Sequence, residues 1–268
     1  MEIRQVLIAF AMALFAGLST GIGGLLGIIP FNVKRFLPIA LGFSAGVMIY
    51  VSFMELMKQA MDALVPTMGK KGEWLVVGGF FLGILLIFLI DKLVPEEINP
   101  HEPALNTRGL SDKKHDKTKS LKRVGLMTAL GITIHNFPEG MATFASGLKD
   151  LETGWVVAIA VAIHNIPEGL AVSAPIYHAT GSRKKAVGYS FLSGLAEPLG
   201  ALVAFAIIGP FLNDIVFSVV MAAVSGIMVF ISLDELLPTA EKYGEHHWSI
   251  LGVVLGMAVM ALSLLILN

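Results

Sequence analysis

Apolar residues run in eight stretches along the chain, each about 20–25 residues long and separated by polar connections. A helix of about 20 residues spans the ~30 Å hydrocarbon core of a bilayer, and in lipid a helix satisfies every backbone polar group within the segment. The pattern therefore predicts an all-α, polytopic membrane protein with eight transmembrane helices. The predicted spans are residues 6–29, 37–60, 73–93, 124–148, 153–177, 186–208, 212–236 and 248–267.

The composition agrees with a lipid bilayer as the environment of the chain. Hydrophobic residues make up 55% of it and charged residues 15%, against about 25% charged residues in an average soluble domain. The first apolar run is longer than the core of a secretory signal peptide, so we interpret it as a membrane span. The chain has no cysteine, which excludes disulfides and thiolate ligands. No basic stripe with interleaved aromatic residues is present, so no nucleic-acid partner is expected.

The longest polar connection, residues 94–123, is mixed in charge and low in hydrophobicity. This composition predicts a flexible loop within a single transmembrane domain that covers residues 1–268. If the amino terminus is outside, fourteen of the 19 Lys and Arg residues lie on the inner side. Because cytoplasmic loops carry the excess of positive charge, we predict a multi-pass protein of the cytoplasmic (inner) membrane. Both termini would be outside and the loop cytoplasmic, with its His101 and His115 solvated.

Two stretches of the chain repeat each other. The segment AGVMIYVSFMELMKQA at 45–60 can be laid without a gap on SGIMVFISLDELLPTA at 225–240, which aligns Glu55 with Glu235. The two stretches lie in spans that cross the membrane in opposite directions. They predict an inverted repeat of helices 1–3 and 6–8 around a central pair of helices 4 and 5. Inverted repeats are typical of transporters, because exchanging the conformations of the two halves opens the opposite side.

The motifs HNFPEG at 135–140 and HNIPEG at 164–169 place polar residues inside the fourth and fifth apolar stretches. In each motif the glutamate follows the histidine by four residues and the asparagine by three, so all three share one helix face. The proline lacks an N–H and predicts a bend beside them, and the final glycine predicts a close neighbouring helix. The residues that share these faces are His135, Asn136, Glu139, His164, Asn165 and Glu168.

Ionised glutamates at membrane depth need a counter-charge. Burying one costs at least about 2.5–3.5 kcal/mol on insertion scales, and the nearest basic residues in sequence, Arg123 and Lys149, lie at the predicted membrane edges. A proton or a metal cation is left to neutralise the acids. Imidazole, carboxylate and amide ligands together suit Zn²⁺, Fe²⁺, Mn²⁺, Co²⁺ or Cd²⁺, whereas Ca²⁺ and Mg²⁺ prefer oxygen ligands.

Four further acids in the predicted spans are candidates for the site or for a pathway to it. Glu197 precedes a proline near the middle of the sixth span, and Glu55 lies in the second. Asp234 and Glu235 lie near the inner end of the seventh. Each of them could join the motif residues or line a pathway to them. The alternative for a lone acid in a membrane is a protonated carboxyl that hydrogen-bonds to a neighbouring helix.

These features together resemble the ZIP family of divalent metal transporters, and within it the bacterial ZupT-type transporters of the GufA branch. The resemblance rests on the tandem motifs, the AEP of the sixth span, the eight predicted spans and the His-containing loop, and it extends over essentially the whole chain. It implies a binuclear metal site midway through the membrane. The residues carried over to that site are His135, Asn136, Glu139, His164, Asn165, Glu168 and Glu197.

The resemblance implies further properties. Some members of the family have an aspartate where this chain has Asn165, and the neutral amide lowers the negative charge at the second metal position. Glu55 and Glu235 would line the entrance or exit. The family is similar to elevator-type transporters that form homodimers. The metal ion would be cargo, and no prosthetic group is expected.

The resulting hypothesis is a secondary transporter that imports zinc, and with it iron, manganese, cobalt and cadmium, across the cytoplasmic membrane by alternating access. A metal exporter and a metal-selective channel remain open, because the residues give neither direction nor coupling. The enzyme alternative is an intramembrane metallohydrolase. Its usual H-E-x-x-H signature is absent, since Asn136 and Asn165 follow the motif histidines, so we expect a protein that is not an enzyme.

Overall fold

The computed structural model describes residues 3–29, 33–93, 113–211, 213–243 and 246–267. Every regular element in these residues is a helix. In chain order the α-helices are α1 (Ile3–Leu26), α2 (Val33–Val51), α3 (Met57–Met68), α4 (Lys70–Leu93), α5 (Lys113–Lys149), α6 (Leu151–Thr180), α7 (Arg183–Gly194), α8 (Ala196–Val203), α9 (Asp214–Ile231), α10 (Leu237–Tyr243) and α11 (His246–Leu267). The prediction of an all-α fold is therefore confirmed for the described residues.

Seven helices of the described part of the chain are long and apolar enough to cross a membrane. They are Ile3–Leu26, Arg35–Met68, Lys70–Lys92, Leu151–Thr180, Arg183–Ile207, Asp214–Lys242 and His246–Ile266. Each of them overlaps one predicted span. The fourth predicted span, 124–148, lies within α5, which is not among the seven, so the count of eight stays a prediction.

The two helices that carry the motifs are the longest of the described residues. α5 begins at Lys113, inside the predicted loop 94–123; the rest of that loop, 94–112, lies outside the described residues. Pro138 and Pro167 stand inside α5 and α6, which continue on both sides of them. Each motif is thus presented by a helix that continues well beyond it in both directions.

A tight turn at Asp150 connects α5 to α6. The Asp150 carboxylate accepts hydrogen bonds from the Thr153 N–H and from Thr153 Oγ1, both at 2.8 Å, and so caps the amino terminus of α6. The hydrogen bond from the Thr153 backbone holds the pKa of Asp150 below its usual value. The turn makes α5 and α6 antiparallel neighbours, which lets their motifs meet.

Two π turns occur at equivalent positions of the repeated stretches. They are Ser52–Leu56, between α2 and α3, and Ser232–Leu236, between α9 and α10. In each, the N–H that follows the turn donates to the carbonyl oxygen of its first serine. Both occupy the same five positions when 45–60 is laid on 225–240. The likeness of these stretches therefore includes the backbone, while the inverted repeat of whole three-helix units stays a prediction.

The helices of the described residues form two bundles. Helices α1, α5, α6, α7 and α8 pack on one another, and we call them the motif bundle. Helices α2, α3, α4, α9, α10 and α11 make up the flanking bundle, in which α2 packs along α11 and α4 along α9. Contacts of α2 with α6 and of α5 with α9 join the two. The motifs consequently lie where the bundles meet.

The motif glycines permit close helix contacts. A Cβ on Gly140 would meet the backbone of Glu197 in α8, and a Cβ on Gly169 would meet the carbonyl oxygen of Thr20 in α1. Residues without a side chain matter in lipid, where the close approach of backbones replaces a hydrophobic driving force between helices. The prediction that these glycines allow a close neighbour is confirmed.

Candidate metal site

The structure brings the two motifs and the sixth-span glutamate together inside the motif bundle. The residues concerned are His135, Asn136 and Glu139 on α5, His164, Asn165 and Glu168 on α6, and Glu197 on α8. All seven are buried, with at most 1% of their surface exposed. We call them the polar cluster.

Each motif histidine faces the glutamate of the other motif. His135 Nε2 lies 3.0 Å from Glu168 Oε2, and His164 Nε2 lies 3.3 Å from Glu139 Oε1. The sequence predicts that the histidine, asparagine and glutamate of one motif lie on one helix face, because this depends only on their spacing along the helix. The exchange of partners between motifs depends on how α5 and α6 pack, and it could not be read from spacing.

The two asparagines are tied to backbone carbonyls of neighbouring helices. Asn165 Nδ2 donates to the carbonyl oxygen of Ala16 at 3.0 Å and, in a short hydrogen bond, to Glu197 Oε1. Asn136 Nδ2 donates to the carbonyl oxygen of Ser193 at 3.4 Å. Their amide oxygens have no hydrogen-bond partner. Each amide is therefore held by its nitrogen and leaves its oxygen available as a ligand atom.

Several other donor atoms of the polar cluster have no hydrogen-bond partner. They include both carboxylate oxygens of Glu139, Oε2 of Glu197 and both ring nitrogens of His164; the 3.3 Å contact between His164 and Glu139 lacks hydrogen-bond alignment. Burying an unsatisfied polar group costs about 1–3 kcal/mol. Within the described residues, no three His, Asp or Glu side chains surround one point as metal ligands would. Side-chain rotations would be needed to bring three of these atoms onto one ion.

The polar cluster is rich in acids and poor in permanent positive charge. It holds three glutamates and two histidines, and none of the Lys and Arg residues whose side-chain burial the structure describes is buried. Ionised carboxylates at membrane depth are costly without a counter-charge. A divalent cation would supply that charge, and imidazole, carboxylate and amide oxygen are ligands that transition metals accept.

Ser44 on α2 is a contact of the cluster that the sequence reasoning missed. Its Oγ donates to Glu168 Oε1 at 2.9 Å and lies 3.4 Å from the carbonyl oxygen of His164. Ser44 is fully buried and reaches the cluster from the flanking bundle. One signal was present, since Ser44 precedes Glu55 by eleven residues, which is about three helical turns. It therefore shares a face with a predicted pathway acid.

The three pathway acids have different surroundings. Oε2 of Glu235, whose side chain is 13% exposed, lies 4.0 Å from His135 Nδ1. Glu55 is buried and accepts a hydrogen bond from Gln59 at 2.8 Å. It lines a cavity of about 420 Å³ beside the turn at Asp150. Asp234 is half-buried. The structure thus brings Glu235 up to the cluster and places Glu55 in a cavity that lies on the side of the α5–α6 turn.

The helical fold and the buried cluster define a multi-pass membrane protein with metal-type ligands at its centre. Residues 96–264 match the model of the family described as ZIP Zinc transporter. The chain is 57% identical to Zinc transporter ZupT of Streptococcus mutans and 56% identical to that of Lysinibacillus sphaericus, with 98% of each chain covered. It is 53% identical to that of Clostridium perfringens, over 99% of this chain and 98% of the relative. The chain belongs to the ZIP zinc transporter family.

Membership in this family confirms the resemblance found in the sequence. The family consists of transporters, so the prediction of a transporter rather than an enzyme is also confirmed. The similarity extends over 98% of each of the first two relatives. The roles of individual residues in metal binding stay predictions.

Proposed function

We propose that this protein imports Zn²⁺ across the cytoplasmic membrane and that the polar cluster binds the ion during transport. The observation that carries the proposal is the burial of three glutamates and two histidines together, while every Lys and Arg whose side-chain burial the structure describes lies outside the buried core. The relatives bear the name zinc transporter, which supports zinc as the cargo. The proposed ligands are His135, Asn136, Glu139, His164, Asn165, Glu168 and Glu197.

Zinc binding would replace the contacts between the side chains with shared coordination of the ion. The histidine nitrogens and glutamate oxygens that now face each other would turn their lone pairs towards it. Zn²⁺ is commonly bound by four nitrogen and oxygen ligands at about 2.0–2.2 Å, and the cluster contains more than four such groups. Because ligation requires neutral imidazole and ionised carboxylate, binding weakens as the pH falls.

Transport further requires that the cluster open to one side at a time. All seven side chains are sealed from solvent in this conformation, so an ion can enter or leave only when the surrounding helices move. The division into two bundles supports a displacement of the motif bundle against the flanking bundle, which would give alternating access. The polar cluster lies where the two bundles meet, so a displacement of one bundle against the other would change which side of the membrane the cluster can reach.

We place the cavity lined by Glu55 on the outside and Glu235 with Asp234 on the cytoplasmic side. This assignment follows the charge distribution, with both termini outside and residues 94–123 in the cytoplasm. An incoming ion would pass Glu55, reach the cluster and leave past Glu235. The 4.0 Å separation of Glu235 from His135 supports a direct transfer on the inner side.

The proposal extends to other metals, to lipid and to a second copy of the chain. A mixed nitrogen and oxygen ligand set also binds Fe²⁺, Mn²⁺, Co²⁺ and Cd²⁺, so we expect these ions to compete with zinc. Large exposed apolar residues such as Trp74 on α4 and Leu265 on α11 support direct contact with lipid. The resemblance to homodimeric members of the family supports a homodimer.

Zinc uptake by proteoliposomes tests the proposed function. We expect vesicles with the wild-type protein to accumulate zinc, measured with a fluorescent indicator inside the vesicles. Glu139→Ala and Glu168→Ala each remove a charged ligand and should reduce uptake more than ~10-fold, since loss of a contact that merely orients a ligand already costs 10–100-fold in affinity.

Glu152→Ala is the matched control for these variants. Glu152 lies on the same helix as Glu168 but is exposed at its first turn, so uptake should stay at the wild-type rate. If Glu139→Ala or Glu168→Ala took up zinc at the wild-type rate, the polar cluster would not be part of the transport path. Absence of uptake by the wild-type protein would overturn zinc transport itself.

A further inference from the structure

The two motif glutamates have the same sequence context but different surroundings. Both carboxylate oxygens of Glu168 are engaged, Oε1 by the Ser44 hydroxyl and Oε2 by His135. Neither oxygen of Glu139 has a hydrogen-bond partner. The duplicated motifs therefore do not give two equivalent carboxylates.

The hydroxyl that binds Glu168 comes from the flanking bundle, on α2. When the alignment of 45–60 with 225–240 is extended by one residue, Ser44 falls opposite Val224. Val224 is buried and has no side-chain donor. On α2, Ser44 therefore has a hydroxyl that can bind a carboxylate. At the matching position of the repeated stretch, Val224 has only an apolar side chain.

We propose that Ser44 is a positioning residue for zinc binding, which deepens and rests on the proposed function. Its hydroxyl holds Glu168 in one rotamer and so presents Oε2 to the ion, whereas the carboxylate of Glu139 has no hydrogen bond that fixes it in the same way. Groups that hydrogen-bond to a metal ligand orient it, and their loss commonly costs 10–100-fold in affinity. Because Ser44 belongs to α2, this bond exists only in the present arrangement of the two bundles.

The proposal predicts a specific kinetic change for Ser44→Ala. In proteoliposomes the KM for zinc should rise about 10-fold or more, while the maximal rate changes far less. The equilibrium Kd for zinc, measured on the purified full-length protein by competition with an indicator, should rise by the same factor. Ser44→Thr keeps the hydroxyl and should restore both values towards those of the wild type.

Ser225→Ala is the matched control. Ser225 is also fully buried and donates through Oγ to a backbone carbonyl, that of Ser52, at 2.8 Å, and Ser52 is not one of the residues of the polar cluster. Its KM and Kd should equal those of the wild type. A general effect of losing a buried serine hydroxyl would appear in both variants.

A double mutant separates action through Glu168 from a structural role. In a Glu168→Ala background, Ser44→Ala should cause no further rise in Kd, because the group it positions is gone. An additive rise, or wild-type KM and Kd for Ser44→Ala, would overturn the assignment. If the wild-type protein fails to take up zinc, the proposed function fails, whereas the Kd measurements still decide the role of Ser44.

Discussion

The side chains of the polar cluster are held in two different ways. Asn136 and Asn165 are fixed by hydrogen bonds from their amide nitrogens to backbone carbonyls. The two histidines and the motif glutamates face one another in pairs, and Ser44 additionally holds Glu168. A change at an asparagine therefore alters the charge and the anchoring of the site without removing one of its charged ligands.

The effect of a negative charge at position 165 on zinc binding can be tested with Asn165→Asp. The new carboxylate would lose the bond to Ala16 and would face Glu197, so the apo protein should unfold at a lower temperature than the wild type. Zinc would relieve the repulsion and bind more tightly to the added charge. Because a ligand stabilises the state that it binds, the rise in Tm on adding zinc should exceed that of the wild type. The measurement is thermal unfolding in detergent, with chelator or with zinc.

Asn213→Asp serves as its control. Asn213 caps α9 by accepting a hydrogen bond from the Val216 N–H at 3.0 Å, and aspartate caps a helix equally well. The zinc-induced rise in Tm should be unchanged there. An equal rise for Asn165→Asp and the wild type would contradict the assignment of Asn165 to the metal site.

At the scale of helices, the apolar pattern predicted where the chain crosses the membrane but not where a helix becomes irregular. The first predicted span, 6–29, corresponds to α1. The sixth, 186–208, was one apolar stretch, and the structure has an irregular turn in it at Leu195, between α7 and α8. The Leu195 N–H still donates to the carbonyl oxygen of Phe191 at 3.2 Å, so the helix continues through this turn. Hydropathy is unchanged there, so the apolar pattern could not reveal the irregularity beside Glu197.

The contact of α5 with α8 can be tested with Gly140→Ala. A Cβ there would meet the backbone of Glu197, and backbone cannot move aside as a side chain can. We expect a loss of about 1–3 kcal/mol of stability, typical of overpacking, measured as a lower Tm. Gly78→Ala on α4 is the control, since its Cβ would meet nothing within 4 Å and alanine is the better helix former. Equal Tm values for the two variants would contradict the close approach.

At the scale of the whole molecule, the sequence predicted which residues would gather but not what surrounds them. Six residues of the polar cluster were found from motif spacing and the seventh, Glu197, from its place in the sixth span and from the family resemblance, and the seven do lie together. Ser44 was not found, because its contact depends on how α2 packs against α6. The arrangement in two bundles likewise depends on tertiary packing. Local sequence patterns predict the helices and their polar faces. Contacts between helices that are distant in sequence depend on tertiary packing, and these patterns do not predict them.

The two bundles meet outside the polar cluster at a contact between Lys149 and Asp214. Lys149 Nζ lies 2.5 Å from Asp214 Oδ1 and 4.8 Å from the centre of the Phe217 ring. It joins the end of α5 to the start of α9, beside the cavity that Glu55 lines. Exposed ion pairs contribute only about 0–1 kcal/mol. The pair is therefore weak enough to break and re-form under the proposed displacement of the two bundles.

A reversible covalent link at this contact tests whether the bundles must move. The chain has no cysteine, so the variant with Lys149→Cys and Asp214→Cys carries the sole thiols. Bridging them with a short bis-methanethiosulfonate reagent should stop zinc uptake by proteoliposomes, because the motif bundle can no longer shift. A reductant should restore uptake. Each single variant, treated in the same way, should keep its activity, and transport by the bridged protein would contradict a relative movement at this point.

The π turns at Ser52–Leu56 and Ser232–Leu236 bear on how members of the family are to be aligned. A π turn contains one residue more than the α-helical turn that it replaces, while the helix on either side keeps its direction. A homologue without the turn would be one residue shorter there, with both flanking helix faces unchanged. In an alignment with such a homologue, a single-residue gap would appear beside Glu55 or Glu235. The gap would mean that the acid is rotated by about 100° around the helix axis relative to its position here. The rest of the span would remain in register.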